Sequence, residues 1–472
     1  MFSMNYFAKT MRFMVSYRPL IGRGALAWAV GGWLLMRTLA SAAPAPPKHP
    51  TVVVEATGAD TNATEWIDAA TGHRVIRLSN QPGSLSLYFH ENAYARRGDK
   101  MIIYEPQGLA AVNLKTHKVE LIAPGVRYGP GSSGGVEMGR VSRNVYYQKN
   151  EGGQTVIYAA DVDTKVTRVV ARLGFTGEFG GVNANETLII GKRRVPVPGP
   201  DGRLVAPPPD FGPDAGVGSA TNAPPRRRGG RRGPGGPLEF FAVDIKTGSV
   251  RSFFPMKEQL NHDQCSPTDP ELILYCHEGN WAQVDRVWTI HTDGTGARLM
   301  HQRTMPGEIA GHEFFGYDGE TVWYDLQTPE SGQFWLAGVN VRTGRRIRYP
   351  LERSQWSVHY NQSHDGRLFS GDGGGPESVA NRTPDGTVFD PPANGQWLYL
   401  FHPRRRAAGT LQVGADTVRI GRFDAEKLVD LSRENYRLEP NATFTPDNKW
   451  LVFRANFQGP SQVYAVEIAK AR

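Results

Sequence analysis

The sequence predicts an all-β fold, a seven-bladed β-propeller closed by pairing an N-terminal strand with the last blade. Three observations carry that reading. A histidine returns at one place in successive repeats, as Asn261-His262-Asp263, Gly311-His312-Glu313 and Val358-His359-Tyr360, each six or seven residues before a turn (Thr268-Asp269, Asp318-Gly319, Asp365-Gly366) that opens an apolar strand. His90, ahead of Arg97-Gly98, fits the same slot less cleanly. The spacing of about 45 residues is that of propeller blades, whose equivalent positions converge on one central axis. Tight turns of the Asp-x-x-Thr-Gly kind recur at 68–72 and 244–248, with 340–344 as a variant, and their glycine supplies the positive φ the turn needs. Finally, Glu65 to Ser79 reads as an outer strand lacking inner partners, while the chain ends on inner strands at 450–454 and 462–468. Pairing the two segments closes the ring and removes exposed edges.

Taken in chain order, the first 42 residues hold Lys9, Arg12, Arg18 and Arg23 without an acid, then the apolar run from Ala25 to Met36, then Ala40-Ser41-Ala42. This is the order of a secretory signal peptide, and the run is short for a membrane span. Cleavage after Ala42 and a periplasmic or secreted product, without stable membrane insertion, are expected. Residues 43–51 form a Pro-rich linker, and the propeller domain occupies 52–472. Blades are expected near 89–123, 138–173, 181–254, 262–303, 312–350, 359–421 and 441–470. Within the third, the stretch 198–237 is dominated by Pro, Gly and Arg. It has too little apolar mass to repay its ordering entropy and is expected to be a disordered insertion.

Charge says little about partners. The formal net charge of +8 falls to +3 without the five basic residues of the leader, and to −2 when Arg226–Arg228, Arg231 and Arg232 are also set aside. No nucleic-acid footprint remains. The two cysteines, Cys265 and Cys276, leave a disulfide and buried free thiols both open. No His-Glu-x-x-His helix occurs, which argues against the common zinc peptidases. Gly371 to Gly375 lacks the Lys-Ser/Thr of a phosphate loop and reads as a turn.

The stretch from His262 to Gln327 is the most specific. It holds Cys265-Ser266-Pro267, Cys276-His277-Glu278-Gly279, Val284-Asp285-Arg286-Val287-Trp288, Gly311-His312-Glu313-Phe314 and Val322-Trp323-Tyr324-Asp325. With 440–449 it resembles the oligogalacturonate lyase family, seven-bladed propellers that cleave short pectin fragments by metal-assisted β-elimination. The resemblance implies that His312 is the Brønsted base, that Arg286 neutralises the substrate carboxylate and that His359 is the first metal ligand. The family's other ligands come from a Gln-x-x-His-x-His stretch, which here reads Tyr436-Arg437-Leu438-Glu439-Pro440-Asn441. Glu439 and Asn441 then stand as oxygen ligands, for a divalent ion: manganese first, with calcium or magnesium as alternatives. His262 is expected to touch substrate or metal one blade earlier, and His277 to touch substrate, with blade packing as its structural competitor.

These residue types suit elimination across C4 and C5 of a uronate. Removing a proton α to a carboxylate is unfavourable until the carboxylate's growing charge is neutralised, which a guanidinium and a divalent cation both do. An imidazole titrating near neutrality is then an efficient base. The expected partner is an acidic oligosaccharide, pectic if the resemblance reaches the substrate. The alternatives are a lyase for another uronate glycan and a noncatalytic propeller that binds a glycan or an envelope protein.

Overall fold

The computed structural model describes residues 64–471 except 129–134, 196, 199–203, 206–236, 258, 280–282, 330–331, 374–395, 405–407, 436–437 and 457. The leader, the linker, most of the 198–237 insertion, and Tyr436 and Arg437 lie outside the described residues. Of the insertion, Val197–Pro198 and Leu204–Val205 pair as a short hairpin. A 3-10 turn, Arg353–Gln355, interrupts the strands. No helix is long and apolar enough to cross a membrane.

Seven sheets follow one another along the chain. Blade 1 comprises Leu85–Ser86, Lys100–Glu105, Gly108–Asn113 and Val119–Pro124. Blade 2 comprises Val136–Met138, Asn144–Glu151, Gln154–Asp161 and Thr167–Arg172. Blade 3 comprises Glu178–Val182, Leu188–Arg194, Leu238–Asp244 and Val250–Met256. Blade 4 comprises Gln259–Cys265, Leu272–Glu278, Val287–His291 and Arg298–Leu299. Blade 5 comprises Ile309–Phe315, Thr321–Gln327, Phe334–Asn340 and Arg346–Leu351. Blade 6 comprises Tyr360–Gln362, Phe369–Gly371, Trp397–Pro403 and Phe423–Asp430. Blade 7 comprises Thr443–Phe444, Trp450–Ala455 and Gln462–Lys470, beyond which His73–Arg77 and then Glu65–Ile67 complete the sheet. Val75 stands opposite Val466 and Arg77 opposite Tyr464 in the pairing that joins the two ends of the described chain.

Blade 6 differs from expectation. Its fourth strand is Phe423–Asp430, and the preceding hairpin, Gly409–Val413 with Asp416–Ile420, leaves the blade to pair in parallel with the edge strand Arg346–Leu351 of blade 5. An outer edge that would otherwise expose unpaired amides is thereby covered.

Packing explains the strand sequences. Second and third strands meet neighbouring blades on both faces and are buried almost throughout, as in Thr321–Gln327, whereas outermost strands such as Thr167–Arg172 are largely exposed. The apolar clusters lie between blades: one draws Phe179 and Val182 of blade 3 against Tyr146 and Ile157 of blade 2, another Leu274 of blade 4 against Val322 and Tyr324 of blade 5. The turns before the fourth strands of blades 1, 2, 3 and 5 are closed by an Asx side chain. Asp244 Oδ1 accepts from the backbone of Lys246 (3.0 Å) and Thr247 (2.7 Å), and Gly248 takes φ 73°. Blades 1 and 2 build the same turn on Asn113 and Asp161 with His117 (φ 58°) and Lys165 (φ 63°) in the glycine place. Cys265 and Cys276 are free and buried, on paired strands but out of register with one another.

Candidate functional site

The inner strands of blades 4 and 5 break register at one place, between Asn261 and Gln264 and between Gly311 and Phe314. Each break puts a histidine in the left-handed region, His262 at φ 50° and His312 at φ 46°. Glu439 (φ 54°) and Asn441 (φ 51°) adopt it ahead of blade 7. Such conformations cost on the order of 1–3 kcal/mol each for non-glycine residues and gather at functional sites, where a bulge re-aims a side chain. The bulges bring imidazoles of separate blades together: ring centroids of His312 and His359 lie 4.9 Å apart, and those of His262 and His312 5.9 Å apart. Blade 1 makes a wider excursion between Ser86 and Ala93 and contributes Tyr88 and His90. His90 stands 5.8 Å from His262, and the Tyr88 hydroxyl lies 3.4 Å from His262 Nε2 and 3.3 Å from His359 Nε2.

Each of the three converging imidazoles has a buried carboxylate at Nδ1. For His312 it is Asp325 Oδ1 at 2.9 Å, for His359 Asp372 Oδ2 at 2.7 Å, and for His262 Glu313 Oε1 at 3.4 Å. In His312 and His359, with Nδ1–H donated to the carboxylate, Nε2 carries the lone pair, as a base or a metal ligand requires. Burial pulls the His312 pKa down, but Asp325, by charge and by hydrogen bond, with Glu439 and Glu313 behind it, outweighs that and leaves it above 6.5. His90 is different. Burial first, then the nearby His262, His359 and Lys192, hold it well below 6.5, and neither ring nitrogen has a hydrogen-bond partner among the described residues.

Arg286 lies beside this group, fully buried. Its guanidinium grips Glu278 through two bonds, Nη1 to Oε2 at 3.1 Å and Nη2 to Oε1 at 3.2 Å. Burial would raise the Glu278 pKa, yet Arg286 brings it down to about 2. The expected carboxylate receptor thus already holds a carboxylate of the protein, and a sugar acid would share it. His277 stacks on Trp288, with centroids 4.8 Å apart.

The expected metal ligands separate. His359 Nε2 and Glu439 Oε2 face each other at 3.9 Å. Asn441 is tied to the backbone instead: its Oδ1 accepts from Phe89 N at 3.1 Å and its Nδ2 donates to Glu439 O at 2.8 Å. Among the described residues no three His, Cys, Asp or Glu side chains are grouped to hold a metal ion. Among the described residues, His359 and Glu439 stand as two facing donors rather than a full set.

Sequence reasoning found the histidines but missed Asp325, Asp372, Glu313 and Tyr88. A signal for the first two was present: an aspartate follows both His312 and His359 by thirteen residues, across the hairpin on the next strand.

A family model described as oligogalacturonate lyase matches residues 237–471, the stretch that carries His262, His312, His359 and Arg286. The C-terminal half belongs to the oligogalacturonate lyase family. The oligogalacturonide lyase of Pectobacterium atrosepticum is 27% identical over 229 residues, 48% of this chain and 54% of that protein. The oligogalacturonate lyase of Dickeya dadantii is 27% identical over 233 residues, with the same two coverages. The chain thus spans about half the length of the curated relatives it matches. Among solved structures, an oligogalacturonate lyase in complex with manganese is 21% identical with a TM-score of 0.62, covering 86% of this chain and 96% of that one. The oligogalacturonate lyase of Vibrio parahaemolyticus is 18% identical, with the same TM-score and coverages. These two likenesses establish the seven-bladed propeller, and the family model places the imidazole-bearing blades 4 to 6 in the oligogalacturonate lyase half.

Proposed function

We propose that the protein is a lyase that cleaves uronate-containing oligosaccharides, of the oligogalacturonate type, by β-elimination. The observation that carries this reading is the convergence of His262, His312 and His359 from three blades, each imidazole oriented by a carboxylate. His312 is the base that takes the C5 proton. Asp325 fixes its ring, so that Nε2 is the atom that accepts the proton, and stabilises the imidazolium that forms. Arg286, sharing its guanidinium with Glu278, supplies positive charge beside the reacting carboxylate.

A divalent cation, manganese first and calcium or magnesium otherwise, is assigned His359 and Glu439 as its protein donors. Bound there, such an ion would lend charge neutralisation to the substrate carboxylate. Export through the basic and apolar leader, to the periplasm or beyond, accords with a substrate that originates outside the cell.

The test is ultraviolet absorbance. Elimination leaves a C4=C5 double bond conjugated to the carboxylate, so digestion of oligogalacturonates should raise absorbance continuously. A flat trace across pectic, alginate and glycosaminoglycan oligomers, with and without added manganese, would reject the reading.

A further inference from the structure

We propose that a cavity on the outer flank of blades 6 and 7 is a second binding site, for a carboxylate-bearing sugar. The assignment lies outside the elimination reading and borrows from it only galacturonate as the probe.

The cavity has a volume of about 540 Å³, within the range of small-molecule sites. Its walls come from parts of the chain far apart in sequence. Thr71 stands in the turn before the strand His73–Arg77, and Lys470 ends the strand Gln462–Lys470 that pairs with it, so the seam that closes the ring forms one side. Glu426 and Lys427 of Phe423–Asp430, Tyr399 of Trp397–Pro403 and Ser354 of the 3-10 turn form the other.

Charge selects an acid. Among the described residues of the wall, Lys427 and Lys470 are the positive groups and Glu426 the negative one. Glu426 spends its charge within the protein: its Oε1 lies 3.3 Å from His73 Nε2 and 3.4 Å from Lys470 Nζ, and its Oε2 lies 3.4 Å from His402 Nε2. An ammonium has three hydrogens, and 3.4 Å is long for a charge-assisted bond, so Lys470 keeps donors for a second carboxylate. Lys427 holds its ammonium 4.3 Å from the centre of the Trp397 ring, a cation–π contact that fixes its place.

Hydroxyls select a sugar. Tyr399 donates its hydroxyl hydrogen to Ser354 O at 2.9 Å, and Thr71 donates its own to Leu428 O at 2.8 Å. With those hydrogens committed, both oxygens are left to act as acceptors, and the hydroxyls of a sugar are the donors that answer them. A phosphate ion would meet only the ammoniums, and no arginine stands among the described residues of the wall to grip it through two bonds. Ammoniums for one carboxylate, beside oxygen acceptors for ring hydroxyls, are complementary to a uronate.

The test is covalent capture of galacturonate, which has no glycosidic bond to eliminate, so the result is read without turnover. A carbodiimide joins a carboxylate to an amine in contact with it, and peptide mass spectrometry finds the modified lysines. Lys427 and Lys470 should carry galacturonate several-fold above Lys118 and Lys449, although the latter side chains are more exposed, at 70% and 73% against 60% for Lys470. Lys427→Ala should lower capture at Lys470 by about 2- to 5-fold, the usual worth of an exposed charge pair, and leave capture at Lys118 unchanged. Because the bound sugar bridges the two ends of the ring, galacturonate should also raise the melting temperature of the wild type more than that of the Lys427→Ala, Lys470→Ala double variant, and galactose, which lacks the carboxylate, should raise neither. Capture that follows exposure alone, or melting temperatures that rise equally in the two proteins, would remove this site and leave the elimination reading intact. Selective capture in a protein whose absorbance trace on oligogalacturonate stays flat would keep this site and reject only that reading.

Discussion

Blades 3, 4 and 5 all interrupt the inner strand at the same place, and they put different things there. In blade 3 the break lies between Phe179 and Gly181. A Cβ on Gly180 would sit 2.0 Å from Asp263 Oδ2, so the glycine makes room for the neighbour's side chain. Asp263 enters that space and binds the buried Lys192 at 2.5 Å, while Glu178 holds the same ammonium at 3.2 Å. Blades 4 and 5 turn the break the other way and aim His262 and His312 inward at positive φ. The repeat fixes where the irregularity falls. The residue placed on it decides whether the position builds the wall or the site.

The largest effect should come from the pair behind the histidines. Arg286→Ala leaves Glu278 without its counter-ion and takes a positive charge away from the fully buried Glu313, so unfolding in urea should show a loss of about 3–5 kcal/mol. A double change of Arg286 and Glu278 to methionine should restore most of it. If the double variant is as unstable as the single, desolvated charge is not the cause.

Next comes the blade 3 wall. Gly180→Ala should cost about 1–3 kcal/mol from overpacking against Asp263, measured by thermal or chemical unfolding. His262→Gly, at the corresponding break in blade 4, should cost less, because it relinquishes strain along with its contacts.

A third test separates His359 from its orienting partner. Asp372 accepts both the ring and the backbone N–H of His359, the latter at 3.0 Å, and also Asn441 N at 3.0 Å. Asp372→Asn should weaken calorimetric manganese binding by about 10- to 100-fold. Unchanged affinity would show that the ion, if held, is held elsewhere.

The smallest effect is a shift in pH dependence. His312 acts as a base only when neutral, and its folded pKa is raised above 6.5, so kcat/KM should climb with pH through a value above 6.5. Asp325→Asn should move that limb to lower pH, since it removes the charge and hydrogen bond that favour the imidazolium. The linked stability has the opposite sense. A raised imidazole pKa stabilises the fold fully below 6.5, and that contribution is lost as pH rises through the folded value.

The fold could be read from the sequence because its turns are chemical. An Asx side chain caps the turn before the fourth strand in blades 1, 2, 3 and 5, and a glycine marks it in blades 3 and 5. Where Lys165 and His117 replace the glycine, the marker vanishes though the turn persists. Blade 6 was harder, because its hairpin at 409–420 pairs with another blade and no local pattern encodes a partner that distant.

The site was half legible. His262, His312 and His359 recur at a fixed place, so the repeat itself points to them. Their carboxylates obey strand register rather than motif spacing: Asp325 faces Gly311, and the same place in blade 4, opposite Asn261, holds Cys276. Deprived of an aspartate on its own blade, His262 turns to Glu313 of the next, which only the packed ring reveals. Asn441 misled for a related reason. Its position matched a ligand, but its amide serves the backbone of Phe89 on the far side of the ring.

The central claim is that the imidazole on the blade 5 bulge removes the substrate proton. The most direct measurement is the rate of unsaturated product formation by His312→Ala on oligogalacturonate, with and without added imidazole. The account predicts a loss of about 10²- to 10⁴-fold, partly restored by imidazole in a folded protein of unchanged melting temperature. A His312→Ala protein that works at the wild-type rate would contradict it.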